Sequence, residues 1–159
     1  MITQKIKTWN QLSDLCQTMQ NQGLKIVFSN GCFDVLHCGH VQYLEEARAC
    51  GDVLIVGLNS DESVKRLKGN SRPINSETDR LIVIAGLESV DYVTLFAEDT
   101  PYQLIKLLQP DVLVKGGDWK PEDIVGSDIV LANGGLIKSL GFTEGKSSTA
   151  IINALGMGK

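Results

Sequence analysis

Apolar positions in this chain recur with two periods that take turns along its length. Thr8–Gln22 carries Trp9, Leu12, Leu15 and Met19 at helical spacing, and Gly23 is a stop signal. Lys25–Asn30 (KIVFSN) reads as a short buried strand. Val41–Cys50 returns to the helical period through Val41, Leu44 and Ala47, closed by Gly51. Val53–Leu58 (VLIVGL) is a continuous apolar run, the mark of a strand buried on both faces. The pattern continues as helix over Thr78–Leu87, strand over Tyr92–Phe96, helix over Pro101–Leu108 and strand over Asp111–Val114. Leu136–Leu140 is the last expected strand and Thr149–Leu155 a closing helix. Strand and helix in alternation predict an α/β fold, a Rossmann-like, doubly wound, parallel five-stranded sheet with helices on both faces. Such sheets bind ligands beyond the carboxyl ends of their strands, where the strand order reverses. The segments after Asn30, Leu58 and Val114 are therefore the ones to search.

Composition agrees with one globular domain over 1–159, in which residues 1–23 form a helical extension packed on the rest. The 159 residues are 43% apolar and 21% charged, which argues against disorder, collagen and coiled coil. No apolar run approaches the roughly 20 residues needed to cross a bilayer. The first residues, MITQKIKTWNQLSD, lack the apolar core of a signal peptide, so a cytoplasmic protein with no membrane partner is expected. Net charge is −4, which disfavours a general nucleic-acid binder. Positive charge is concentrated instead: Lys65, Arg66, Lys68, Arg72 and Arg80 are five of the fifteen Lys and Arg residues. Cys16, Cys32, Cys38 and Cys50 form no CxxC pair and are expected as reduced thiols.

The segment after the first strand carries most of the chemistry. It reads Asn30-Gly31-Cys32-Phe33-Asp34-Val35-Leu36-His37-Cys38-Gly39-His40 and then becomes helix. Both histidines of the chain lie here, three apart, and Gly39 between them permits a close backbone approach. The helix that follows turns its N-terminal N–H groups and positive dipole end toward any anion bound there. Two imidazoles at that point make a compact donor array for a polyphosphate. A zinc site is the alternative, but there is no third histidine and no suitably spaced carboxylate pair.

Phe33-Asp34-x-x-His37-x-Gly39-His40 resembles the HxGH signature of the nucleotidyltransferase superfamily, which includes the cytidylyltransferases and pantetheine-phosphate adenylyltransferase. The resemblance extends through Asn59–Gly69, Ser71-Arg72-Pro73-Ile74-Asn75 and Val114-Lys115-Gly116-Gly117-Asp118-Trp119. Within the superfamily these motifs look most like the heptose 1-phosphate adenylyltransferases. In many bacteria that unit is joined to a sugar kinase; 159 residues leave no room for one, so a free-standing transferase is expected. The resemblance implies that ATP and D-glycero-β-D-manno-heptose 1-phosphate give ADP-heptose and pyrophosphate, a step toward lipopolysaccharide core sugars. It also implies Mg²⁺ arriving with ATP, since no dedicated metal cage is visible and Mg²⁺ commonly binds through phosphates.

Residue roles follow from the same resemblance. His37 and His40 stabilise charge on the phosphoryl oxygens in the transition state. Lys68 and Arg72 act beside them from a loop over the site, the segment being punctuated by Gly69 and Pro73. Asn30, Gly31, Phe33 and Gly39 shape the nucleotide pocket, and Ser147, Ser148 and Thr149 contact its phosphates. Ser147-Ser148-Thr149-Ala150 departs from the Ser-Thr-Thr of many relatives, and Lys146 offers charge in its place. Asp34, Lys115, Gly116, Gly117, Asp118 and Trp119 are expected on the sugar-phosphate side. Arg80 reaches phosphate or caps a neighbour. Small enzymes of this type often form homodimers, although no interface pattern stands out.

Three rival readings remain open. One is a cytidylyltransferase acting on glycerol 3-phosphate or a similar alcohol phosphate, because base choice is not written in the motifs. Another is a non-catalytic nucleotide-binding module that kept the fold. The third, a P-loop kinase, is disfavoured because Gly141–Ser147 has three residues between its glycines where the P-loop has four.

Overall fold

The computed structural model describes residues 1–141 and 145–156. Five strands form one parallel sheet: β1 (Ile26–Gly31), β2 (Val53–Asn59), β3 (Tyr92–Phe96), β4 (Val112–Gly116) and β5 (Leu136–Leu140). Their spatial order is β3-β2-β1-β4-β5. The chain winds outward from β1 to β3, returns to the far side of β1 and continues to β5. The order therefore reverses between β1 and β4, as expected for a doubly wound fold.

Alternate side chains of each strand enter separate cores. Val27, Leu54, Val56, Val112 and Val114 face one way, against Leu44 and Ala47 of helix α2 (Cys38–Arg48). Leu81, Ile84 and Ala85 of a helix at Glu77–Ala85 join the same layer. Ile26, Phe28, Ile55 and Leu113 face the other way, against Leu12 and Cys16 of helix α1 (Trp9–Asn21). Leu104, Ile105 and Leu108 of a helix at Tyr102–Leu108 complete that side, with Val130 of a short helix at Ser127–Ala132. Burying each such side chain stabilises by roughly 1.5–3 kcal/mol, which explains the unbroken apolar run of β2. The N-terminal segment is built into this scheme. Ile6 bridges to Val93, Lys7 N–H donates to the Val93 carbonyl at 2.9 Å, and Trp9 Nε1 donates to the Leu95 carbonyl at 2.7 Å.

The N-terminal edge of the sheet is stitched by three aspartates, each standing before a strand. Asp52 accepts from Lys25 N–H, Asp91 from Leu54 N–H and Asp111 from Ile26 N–H, each at 2.8 Å. These bonds satisfy strand donors that would otherwise lack partners. They also fix the strand ends opposite the cleft.

Two expectations needed correction. The basic stretch is not a loop up to Lys68: Asp61–Lys68 is a helix, α3, with Ser60 as N-cap accepting from Ser63 N–H and Gly69 closing it at φ 95°. Only Ser63 and Val64 of this helix are buried, so it carries no apolar stripe to announce it. Arg72, read as a cation acting at phosphate, is instead buried with its Nε on Asp34, while Arg80, read as reaching phosphate or capping a neighbour, is buried and does the second. With α3 counted, the Glu77–Ala85 helix is α4, Tyr102–Leu108 is α5, Ser127–Ala132 is α6 and the closing helix Ser148–Ala154 is α7.

Candidate active site

A cavity of about 570 Å³ opens at the switch point, between the ends of β1 and β4 and under the start of α2. Asn30, Gly31, Cys32 and Phe33 form one wall, Lys115 and Gly116 the other. His37, Gly39 and His40 lie across it, Lys68 reaches in from the last turn of α3, and Lys146 to Thr149 close the far side.

Local geometry explains the His-x-Gly-His spacing. His37 is the N-cap of α2, and His40 N–H donates to its carbonyl at 3.0 Å. One turn of helix then stacks the imidazoles, with ring centroids 3.9 Å apart and planes 26° apart. Phe33 meets His40 edge-on at 5.3 Å. A Cβ on Gly39 would come within 3.0 Å of the His37 ring, so glycine is what lets that ring lie across the helix start. A Cβ on Gly31 would lie 2.8 Å from the Phe33 ring. Phe33 itself has φ 48°, a left-handed conformation that costs a non-glycine residue and marks functional turns.

The electrostatics keep both imidazoles neutral in the free protein. Burial lowers the His40 pKa to about 4, helped by His37 and Lys68. Burial and then Lys146 lower that of His37. Both Nδ1 atoms are buried without a hydrogen-bond partner among the described residues. On the opposite wall, burial lowers the pKa of the Lys115 ammonium, with Cys32 acting the other way. Lys68, Lys115 and Lys146 thus hold positive charge close to the cavity. Asp34 is the one carboxylate on the cavity wall among the described residues, and it is occupied: it accepts from Arg72 Nε and from the N–H groups of Ile74 and Asn75.

The structure therefore sorts the expected site residues. Asn30, Gly31, Phe33, Asp34, His37, Gly39, His40, Lys68, Lys115, Gly116, Ser147, Ser148 and Thr149 all meet at the cavity. Arg72, Gly117, Asp118 and Trp119 do not line it. Arg72 sits behind the wall on Asp34. Gly117 N–H donates to the Leu140 carbonyl and Trp119 Nε1 to the Gly116 carbonyl, so the KGGDW turn is tied to β5 and its own strand, with Trp119 46% exposed. Ser148 donates to the Val35 carbonyl at 2.6 Å, fastening α7 to the β1–α2 loop. Ser147 accepts from Ala150 N–H as the N-cap of α7. Arg80 binds the carbonyls of Cys32, Asn59 and Asn75 and the Asp61 carboxylate, tying together the loops that follow β1 and β2. Phe142, Thr143 and Glu144 of the near-P-loop lie outside the described residues. Cys32, which flanks the histidine segment, lines the cavity, and so does Tyr43, which the sequence did not single out because it is hidden in the apolar stripe of α2.

No group of three or more His, Cys, Asp or Glu residues suited to a metal exists among the described residues. With Asp34 already engaged, the described residues offer no set of ligands for a resident metal ion.

A parallel sheet of this order with a histidine-headed helix over its switch point defines the class of Rossmann-like nucleotidyltransferases. The chain belongs to the cytidylyltransferase-like family, whose model matches residues 28–154, from β1 to α7. It is 53% identical over 152 residues to the bifunctional protein HldE of Wolinella succinogenes, covering 96% of this chain and 31% of that protein. It is 57% identical over 150 residues to the bifunctional protein HldE of Aliarcobacter butzleri, covering 94% and 31%. The chain thus spans about a third of the length of these curated relatives. Among solved structures it resembles a lipopolysaccharide core biosynthesis protein from Thermoplasma volcanium, with TM-score 0.61 and 29% identity, covering 78% of this chain and all of that one. Pantoate-beta-alanine ligase from Francisella tularensis shares the fold at TM-score 0.59 and 16% identity, over 94% of this chain and 76% of that one. No helix among the described residues is long and apolar enough to cross a membrane.

Proposed function

We propose that this chain transfers AMP from magnesium-bound ATP to D-glycero-β-D-manno-heptose 1-phosphate, giving ADP-heptose and pyrophosphate in the cytoplasm. The observation that carries the chemistry is the stacked, neutral His37–His40 pair at the first turn of α2. A bare buried lone pair is cheaper than an orphaned buried N–H, so each Nδ1 is the unprotonated nitrogen and each Nε2–H a donor. Two donors, Lys68 and Lys146 surround the place where negative charge grows on the α- and β-phosphates. A phosphate oxygen of the acceptor attacks the α-phosphorus in line. The bond from that phosphorus to the β-bridging oxygen breaks, and pyrophosphate leaves with the electron pair. The protein forms no covalent bond; it positions the reactants and stabilises charge.

The wall bearing Lys115 and Gly116 is suited to the acceptor phosphate, and Ser147 and Thr149 to the triphosphate. Arg72 acts through Asp34 by holding the β1–α2 loop. The choice of a heptose phosphate rests on the resemblance of the motifs and on the similarity to the HldE proteins. A cytidylyltransferase using CTP and an alcohol phosphate is the second reading, favoured by the family to which the chain belongs. A pyrophosphate-release assay crossing ATP, CTP, GTP and UTP with heptose 1-phosphate, glycerol 3-phosphate and other sugar phosphates tests both. Release with ATP and heptose 1-phosphate, and ADP-heptose as the product, is the expected result. Turnover confined to CTP, or to a different acceptor, overturns the first reading.

A further inference from the structure

The two strands at the switch point share only two register pairs, Val27↔Val112 and Phe28↔Leu113. The β1–β2 ladder has six pairs and runs further along β1, from Ile26 to Gly31. Beyond Phe28 and Leu113 the strands β1 and β4 part, and the cavity opens between Asn30–Gly31 and Lys115–Gly116. In a parallel ladder a paired residue bonds a C=O and an N–H that stand two residues apart on its neighbour. Parting leaves the Val114 C=O and the Gly116 N–H of β4 without that partner in β1.

Tyr43 supplies a partner for the Val114 carbonyl from above. Its phenol donates to that carbonyl at 3.3 Å. Ser29 Oγ of β1 lies 2.5 Å from the phenol oxygen. One hydroxyl thus bonds both strands just where the ladder between them ends. Tyr43 also stands one helical turn after His40, so the two side chains share the inner face of α2. The same helix that presents an imidazole to the cavity carries the ring that spans its base.

We propose that Tyr43 is a positioning residue whose phenol takes the place of β1 in the β4 ladder and so sets the width of the cleft. A nucleotide on the His37–His40 side and an acceptor on the Lys115 side are then held at the separation that in-line attack requires. This rests on the nucleotidyl-transfer reading above. Its cost of failure is large, because a displacement of about 1 Å can lower a rate by about a hundredfold.

Tyr43→Phe keeps the ring and its packing and removes only the hydroxyl; Ser29→Ala removes the β1 partner. Two readouts on the full chain test the idea. Without ligand, amide hydrogen exchange at Gly116 is expected to rise by about tenfold or more in Tyr43→Phe, while exchange at Leu113 stays unchanged. In turnover, kcat is expected to fall about 10- to 100-fold with the nucleotide KM within about threefold. The double variant is expected to be no worse than Tyr43→Phe, since both remove one connection. Unchanged exchange at Gly116, unchanged kcat, or a loss confined to nucleotide KM overturns the proposal. If Tyr43→Phe does not fold, Ser29→Ala is read alone by the same criteria. If the unmodified protein transfers nothing, the proposed function has failed, whereas exchange at Gly116 still decides whether the phenol holds the strands.

Discussion

Arg72 Nε donates to Asp34 Oδ2 at 2.7 Å, and the pair is shielded, the two side chains being 9% and 0% exposed. Asp34 also accepts from Ile74 and Asn75 N–H, so one carboxylate clamps the segment after α3 onto the β1–α2 loop. These bonds, together with the Arg72 charge, hold its pKa below the usual carboxylate value although burial opposes them. The clamp fixes the loop that ends in His37.

Removing one partner of a buried pair strands the other charge. Asp34→Ala is expected to lower stability by about 3–5 kcal/mol in urea denaturation. A loss below about 1 kcal/mol would mean that the pair behaves like an exposed salt bridge.

His37→Ala and His40→Ala should each fold and lose about 10²- to 10³-fold in kcat, the usual effect of deleting one donor to a developing oxyanion. Circular dichroism checks the fold and pyrophosphate release the rate. The double variant should lose less than the product of the two, because stacked rings act on the same phosphates. Near-normal turnover in both single variants would reject their roles.

Gly39→Ala separates stability from chemistry. Alanine is worth up to about 1 kcal/mol to a helix, so thermal stability should hold or rise. Its Cβ would meet the His37 ring at 3.0 Å and push the imidazole out of the stack. Turnover should then fall by about tenfold or more, in keeping with the cost of a small misplacement. A variant that is both stable and fully active would show that the stack is not needed.

The pH profile of stability has a definite sign. Burial lowers the pKa of His40 to about 4 from 6.5, and that of His37 in the same direction. Neutral imidazoles cost nothing above 6.5, and the unfolded state takes up protons more readily below it. Stability should therefore fall as pH drops from 6.5 toward 4. Asp34, also lowered, adds its own loss only below its ordinary value of 3.8. His40→Gln should flatten the upper part of the profile and leave the lower part unchanged. Thermal melts across this range decide it; a slope unaltered by His40→Gln would place the linkage elsewhere. Binding of a triphosphate should be accompanied by proton uptake, since a bound anion favours the imidazolium.

Much of the fold was legible because it rests on short-range periodicity. The run VLIVGL needed helices on both faces, and the register shows each alternate residue entering its own core. Helix α3 escaped notice for the opposite reason: DESVKRLK carries charge on nearly every turn and buries only Ser63 and Val64. The histidines were legible because their spacing is local to one helical turn. The place of Arg72 was not, and the two readings of Arg80 stayed open, because a cation looks the same in sequence whether it awaits a phosphate or pairs within the protein.

Local spacing alone determined the alternating elements, the parallel sheet and the paired-imidazole turn at His37–His40, since periods of two and 3.6 residues act over a few neighbours. Only the tertiary structure decided which charges face the cavity and which brace it. Partner choice for Arg72, Arg80, Lys115 and Tyr43 depends on strands and loops brought together from distant parts of the chain. Burial then sets whether each group is a donor left free for a ligand or one already spent on the protein.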